Sequence, residues 1–122
     1  MVSPIYRMVI VVWIVSIGAV SYLSVSPQME FPVDFTYADK VYHAIAYAWL
    51  SFLPFFGFRR IRISILCALL MIPLGVGLEL GQAFIPGRFP ALSDATANTL
   101  GAVLGMLFAI SLRSLRKKVP EF

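Results

Sequence analysis

The stretch ELGQAFIPGRFPALSDATAN, residues 79–98, decides the fold. At its centre, Ile85-Pro86-Gly87-Arg88-Phe89-Pro90 is turn chemistry, because two prolines without an N–H flank a glycine and no regular helix continues through them. Upstream the chain is apolar from Ile63 to about Phe84, and downstream from Ala91 to Leu112. Each run reaches the roughly 20 residues that a helix needs to cross a bilayer. The stretch is therefore a turn between two membrane-grade helices, yet it carries two carboxylates, an arginine and two side-chain amides.

Moving outward, a run from Val41 to Phe58 closes in Arg59-Arg60-Ile61-Arg62, and a run from Ile5 to Leu23 has Arg7 at its head and Pro27 behind it. The first run shares features with a signal peptide, with Ser24-Val25-Ser26 as a passable cleavage site. It reads instead as a span, since the apolar residues continue beyond Val20 and the rest of the chain is membrane-grade. Between these two runs, residues 26–37 hold Glu30, Asp34 and two prolines but no basic residue. Pro73, with Gly75, Gly77 and Gly81, predicts a bend or loosened turn in the third run.

The whole chain agrees: 60% of its 122 residues are hydrophobic and 13% charged, with mean hydropathy +0.87, against about half and a quarter in soluble domains. The expectation is all-α, one membrane domain over residues 1–122, with four transmembrane helices at about 5–24, 39–58, 61–84 and 91–112. Arg7, Arg59, Arg60, Arg62, Arg113, Arg116, Lys117 and Lys118 then share one face, and only Lys40 and Arg88 fall on the other. That asymmetry predicts an up-down-up-down bundle with both termini cytoplasmic. The net charge of +4 reports topology and not a nucleic-acid partner. Cys67, the single cysteine, lies inside an apolar run and reads as packing.

Every unusual polar residue falls toward the outer face. Positions three or four apart share a helix face, which makes one stripe of Asp39, His43 and Tyr47, a second of Glu79 and Gln82, and a third of Asp94, Asn98, Gly101 and Gly105. If the stripes converge they form one polar pocket, with Glu79 roughly 8 Å below the end of its helix. Plainer roles compete. Thr36 to Asp39 fits a capping box, Ser93 or Asp94 would cap the last helix, Lys40 reads as a snorkelling anchor, and the glycines as a close helix contact. An ion pair with Arg88 is the structural reading of Glu79. Otherwise a carboxylate near a helix C-terminus opposes the dipole, which favours a functional role. Asp39, Glu79 and Asp94 against Lys40 and Arg88 leave the pocket one positive charge short, a gap that protonated His43, a shared proton or a bound cation would fill. His43, Glu79 and Asp94 are the candidate ligands for a divalent cation, although their spacing matches no diagnostic metal motif.

At these residues the chain resembles the VanZ-like family of small bacterial integral membrane proteins. The resemblance is carried by Ser24-Val25-Ser26-Pro27, Asp39-Lys40-Val41-Tyr42-His43 with Tyr47, Glu79-Leu80-Gly81-Gln82, Pro86-Gly87-Arg88, and Ser93-Asp94 with Asn98, Gly101 and Gly105. It spans about Tyr22 to Gly105. It implies a bacterial inner or plasma membrane protein of the cell envelope, in a family whose namesake is linked to teicoplanin resistance, and it brings no settled biochemical activity.

The residues suggest a pocket that binds or processes a membrane lipid or lipid-linked envelope precursor. Lys40, Tyr47, Gln82, Arg88, Ser93 and Asn98 would contact the ligand, while Asp39, His43, Glu79 and Asp94 would carry any hydrolysis or transfer at a lipid phosphate. The alternatives are a non-catalytic binder, or a scaffold or transport accessory that docks a partner on its glycine ridge. Oligomeric state is left open.

Overall fold

Large apolar side chains line much of the outside of this molecule, and small or polar ones share its inside with a few large apolar ones. In the computed structural model, which describes residues 4–25, 38–84 and 92–118, Ile5, Met8, Val15, Leu66, Leu80, Leu104 and Phe108 are exposed. Ser51, Ser64, Glu79, Gln82, Asn98, Ala102 and Ala109 are buried, beside Tyr47, Leu50, Phe55 and Met71. Water-soluble proteins show the reverse. The inversion suits lipid, where apolar exposure costs nothing and small residues let helix backbones approach.

The elements are α1 (Pro4–Val25), α2 (Ala38–Phe52), α3 (Pro54–Gly57), α4 (Ile61–Gly81), a 3-10 turn (Gln82–Phe84) and α5 (Leu92–Lys118). Among the described residues all regular structure is helical. Three helical segments, Pro4–Ser24, Ile61–Phe84 and Ser93–Leu115, are long and apolar enough to cross a membrane. The remaining stave, α2 with α3, is the shorter one: α2 has 15 residues and begins with Asp39, Lys40 and His43.

Two boundaries differ from the sequence expectation. The helix expected over 39–58 breaks at Leu53-Pro54, because proline has no N–H to offer the Leu50 carbonyl four residues back. That carbonyl is recovered from another helix: the Trp13 indole N–H of α1 donates to it at 2.8 Å. The last helix runs six residues beyond Leu112, through the basic residues that ended the apolar run but that favour helix well. Pro73 sits inside α4, which remains one continuous helix.

The closest pairing is α2 with α5, in parallel. Lys40 meets Asp94, His43 meets Asn98, and Ser51 donates to the Ala102 carbonyl at 2.7 Å. Gly101 and Gly105 make this possible, since a Cβ at either would stand 2.7 Å from the Cα of Ala44 or of Ala48 respectively. The glycine ridge is thus filled from within the chain. On α4, Ser64, Ala68, Met71, Gly75 and Glu79 are buried, a spacing of three and four that makes one inward face antiparallel to α2 and α5. Against α1, Gly57 lies under Ile10, and Trp49 donates to the Ser16 hydroxyl at 3.0 Å.

The end of the bundle opposite the Lys40 and Asp94 contact is closed by one guanidinium. Arg113 Nη1 lies 3.1 Å from the carbonyls of Phe55 and Phe58 and from the Ser64 hydroxyl, and Nη2 donates to the Arg59 carbonyl. The short α3 leaves carbonyls at its C-terminus without helical partners, and a cation suits that negative end. Ser64 adds contacts to the Pro54, Phe58 and Arg60 carbonyls at 3.0, 3.3 and 3.3 Å.

Candidate functional site

Because α2 and α5 run parallel and α4 antiparallel, the first turns of the former and the last turns of the latter share one end. There Lys40 Nζ lies 3.4 Å from Asp94 Oδ1, an ion pair that is itself partly open, with the Lys40 side chain 32% exposed. Asp94 stands in the first turn of α5, where the helix dipole favours a carboxylate. Since α5 begins at Leu92, Ser93 and Asp94 occupy the first turn and not the cap position expected of them. Ser93 is exposed.

One turn further in, His43 Nδ1 lies 2.9 Å from Asn98 Oδ1. An amide oxygen only accepts, so Nδ1 carries the hydrogen, and in the neutral ring Nε2 keeps its lone pair. Asn98 is buried, and Tyr47, one turn along the same stripe of α2, is 1% exposed. Gly75 of α4 gives these side chains their room: a Cβ there would stand 3.0 Å from Tyr47 Cε1 and 3.3 Å from Asn98 Cβ.

The Tyr47 hydroxyl is buried and makes no hydrogen bond among the described residues. The Glu79 carboxylate, one turn beyond Gly75, is 5% exposed and close enough to act on that hydroxyl electrostatically. Gln82 is also buried, and its N–H reaches back to the Glu79, Leu78 and Leu80 carbonyls as α4 tightens into the 3-10 turn.

The structure thus gathers Lys40, His43, Tyr47, Glu79, Gln82, Asp94 and Asn98 at one end of the bundle. Asp39 belongs to the first turn of α2, but its side chain lies outside the described residues, as does all of Arg88. Among the described residues no three His, Cys, Asp or Glu side chains stand close enough to hold a metal ion, so His43, Glu79 and Asp94 do not form the ligand set suggested for a divalent cation. What the arrangement offers is hydrogen bonding and proton transfer: an imidazole oriented by an amide, a buried phenol, a buried carboxylate and an ion pair at the rim.

Sequence reasoning overlooked Ser51, Ser64 and the architectural work of Arg113. Pro54 was the available signal, because a proline inside a membrane run frees a carbonyl that must find a donor.

Compared with known proteins, residues 3–113 match the model of a protein family described as VanZ/LLP1. Neither a curated protein nor a solved structure is detectably similar to the chain.

Proposed function

Because the chain belongs to the VanZ/LLP1 family, we propose that it is a multi-pass cell-envelope protein of a bacterial inner or plasma membrane, with both termini cytoplasmic and its polar end facing outward. There it binds or processes the polar part of a lipid-linked or lipid-anchored group, in a setting of resistance to teicoplanin-type lipoglycopeptides. Lys40 and Arg88 hold an anionic moiety such as a phosphate, and His43, Glu79 and Asp94 supply proton transfer.

The Tyr47 hydroxyl is the observation that carries this reading. Burying a hydroxyl without a hydrogen bond costs about 1–3 kcal/mol, and phenylalanine would fill the same space without that cost. A bound polar group that accepts or donates at this oxygen supplies the missing partner. The glycine-ridge version of a scaffold role loses its basis, because Ala44 and Ala48 already occupy Gly101 and Gly105.

The test is a melting experiment in neutral detergent with a long-chain isoprenyl phosphate and, separately, the corresponding alcohol. Tyr47→Phe is expected to be at least as stable as wild type without lipid and to lose most of the phosphate-dependent rise, which at saturation near 100 times Kd corresponds to about 2.7 kcal/mol. A destabilised Tyr47→Phe that still responds fully to the phosphate would reduce Tyr47 to packing and overturn the reading. Mass spectrometry of the recovered lipid separates the two modes. Product formation lost in Glu79→Gln and His43→Ala marks an enzyme, and protection without product marks a binder.

A further inference from the structure

At the opposite end, the Arg113 contacts do more than close the bundle. The carbonyls of Phe55, Phe58 and Arg59 turn inward to its guanidinium, and Ser64 lies under those of Pro54, Phe58 and Arg60. With the backbone of the elbow between α3 and α4 tied down, the side chains of Arg59, Arg60 and Arg62 project outward, all exposed. Arg7 is exposed on the first turn of α1, one turn before Ile10, which covers Gly57 at the same elbow. Beside these four guanidinium groups the surface is apolar: Ile5, Met8, Ile63 and Leu66 are all exposed. No acidic residue belongs to the described residues of this end, and Arg113 is engaged internally, so among the described residues the four charges meet no opposite charge.

We infer that this elbow is a binding site for the headgroup of an anionic phospholipid. Guanidinium groups pair bidentately with phosphate oxygens, each basic residue near a charged leaflet contributes about 1 kcal/mol, and the apolar surface beneath receives the acyl chains. A backbone already fixed by Arg113 and Ser64 lowers the ordering cost that a flexible polybasic tail would carry. The site differs from a general attraction of basic residues to the membrane in its prediction that the elbow outweighs the α5 terminus.

The experiment titrates the purified full chain in neutral detergent with short-chain phosphatidylglycerol or phosphatidylcholine, following the melting temperature and the bound lipid by native mass spectrometry. Phosphatidylglycerol is expected to bind and to stabilise where phosphatidylcholine does not. The triple variant Arg59→Gln, Arg60→Gln, Arg62→Gln should lose about a hundredfold in affinity at low salt, whereas Arg116→Gln, Lys117→Gln, Lys118→Gln should lose under tenfold. Equal response to the two lipids, or equal loss in the two triple variants, overturns the assignment. Should the elbow variant fail to fold, the wild-type salt dependence decides: affinity for phosphatidylglycerol unchanged between 50 mM and 1 M salt overturns it equally.

Discussion

Replacing Trp13 by phenylalanine tests the account of the broken second stave. The substitution removes the indole N–H that donates at 2.8 Å to the Leu50 carbonyl, the group that Pro54 leaves without its helical donor. In membrane proteins an interhelical hydrogen bond is worth about 0.6 kcal/mol on average and up to about 1.7. A proline-freed carbonyl with no water at hand belongs at the upper end. Trp13 also packs edge-on against Phe58, with ring centroids 5.9 Å apart, so Trp13→Phe alone mixes packing with bonding. Pro54→Ala separates them. An alanine N–H restores the helical donor to Leu50, since Leu53 already has the helical conformation that this bond needs.

The packing loss is common to both backgrounds and cancels in the cycle. Trp13→Phe should therefore cost about 1–1.5 kcal/mol less in the Pro54→Ala background than in wild type. Reversible unfolding in mixed dodecylmaltoside and dodecylsulfate micelles, followed by far-ultraviolet circular dichroism, gives the four stabilities. A cost of Trp13→Phe that is the same in both backgrounds, within about 0.3 kcal/mol, would refute the view that the indole replaces a donor lost to Pro54.

Gly101→Ala and Gly105→Ala should each destabilise by about 2 kcal/mol or more in the same assay, because the new Cβ meets the backbone of Ala44 or Ala48 and the two helices must separate. Gly18→Ala and Gly77→Ala, where nothing lies within 4 Å of the added atom, should be neutral or gain up to about 1 kcal/mol of helix propensity. Arg113→Met should cost about 2–4 kcal/mol by leaving several carbonyls without a donor, with Arg113→Lys recovering less than half, since one ammonium cannot reach acceptors on Phe55, Phe58, Arg59 and Ser64 together.

Much of the architecture is legible from composition, because apolar runs of bilayer length report helices directly. The inward face of α5 is legible too, as Asp94, Asn98, Gly101 and Gly105 repeat every three or four positions. Pairing between helices is not. That His43 finds Asn98 depends on the register of α2 against α5, and Ala44 and Ala48 help set that register as much as any polar residue. The architectural role of Arg113 is missed for a related reason. From the chain it is one charge among several beyond an apolar run, and its acceptors exist only because Pro54 ends α2 and leaves a short α3 with exposed carbonyls. Ser93 shows the limit of cap signals: a shift of one or two residues in the start of α5 turns a cap into an exposed first-turn residue.

The parallel contact between α2 and α5 also dictates an order of events during synthesis. The chain emerges from its N-terminus, so α2 enters the membrane with Ala44, Ala48 and Ser51 facing lipid or a chaperone while α4 is still being made. Lys40 and His43 have neither Asp94 nor Asn98, and the elbow after α3 has no Arg113, until the last helix is translated. Both ends of the bundle are therefore completed by the same late arrival, and a chain stalled before α5 lacks the contacts of both ends at once.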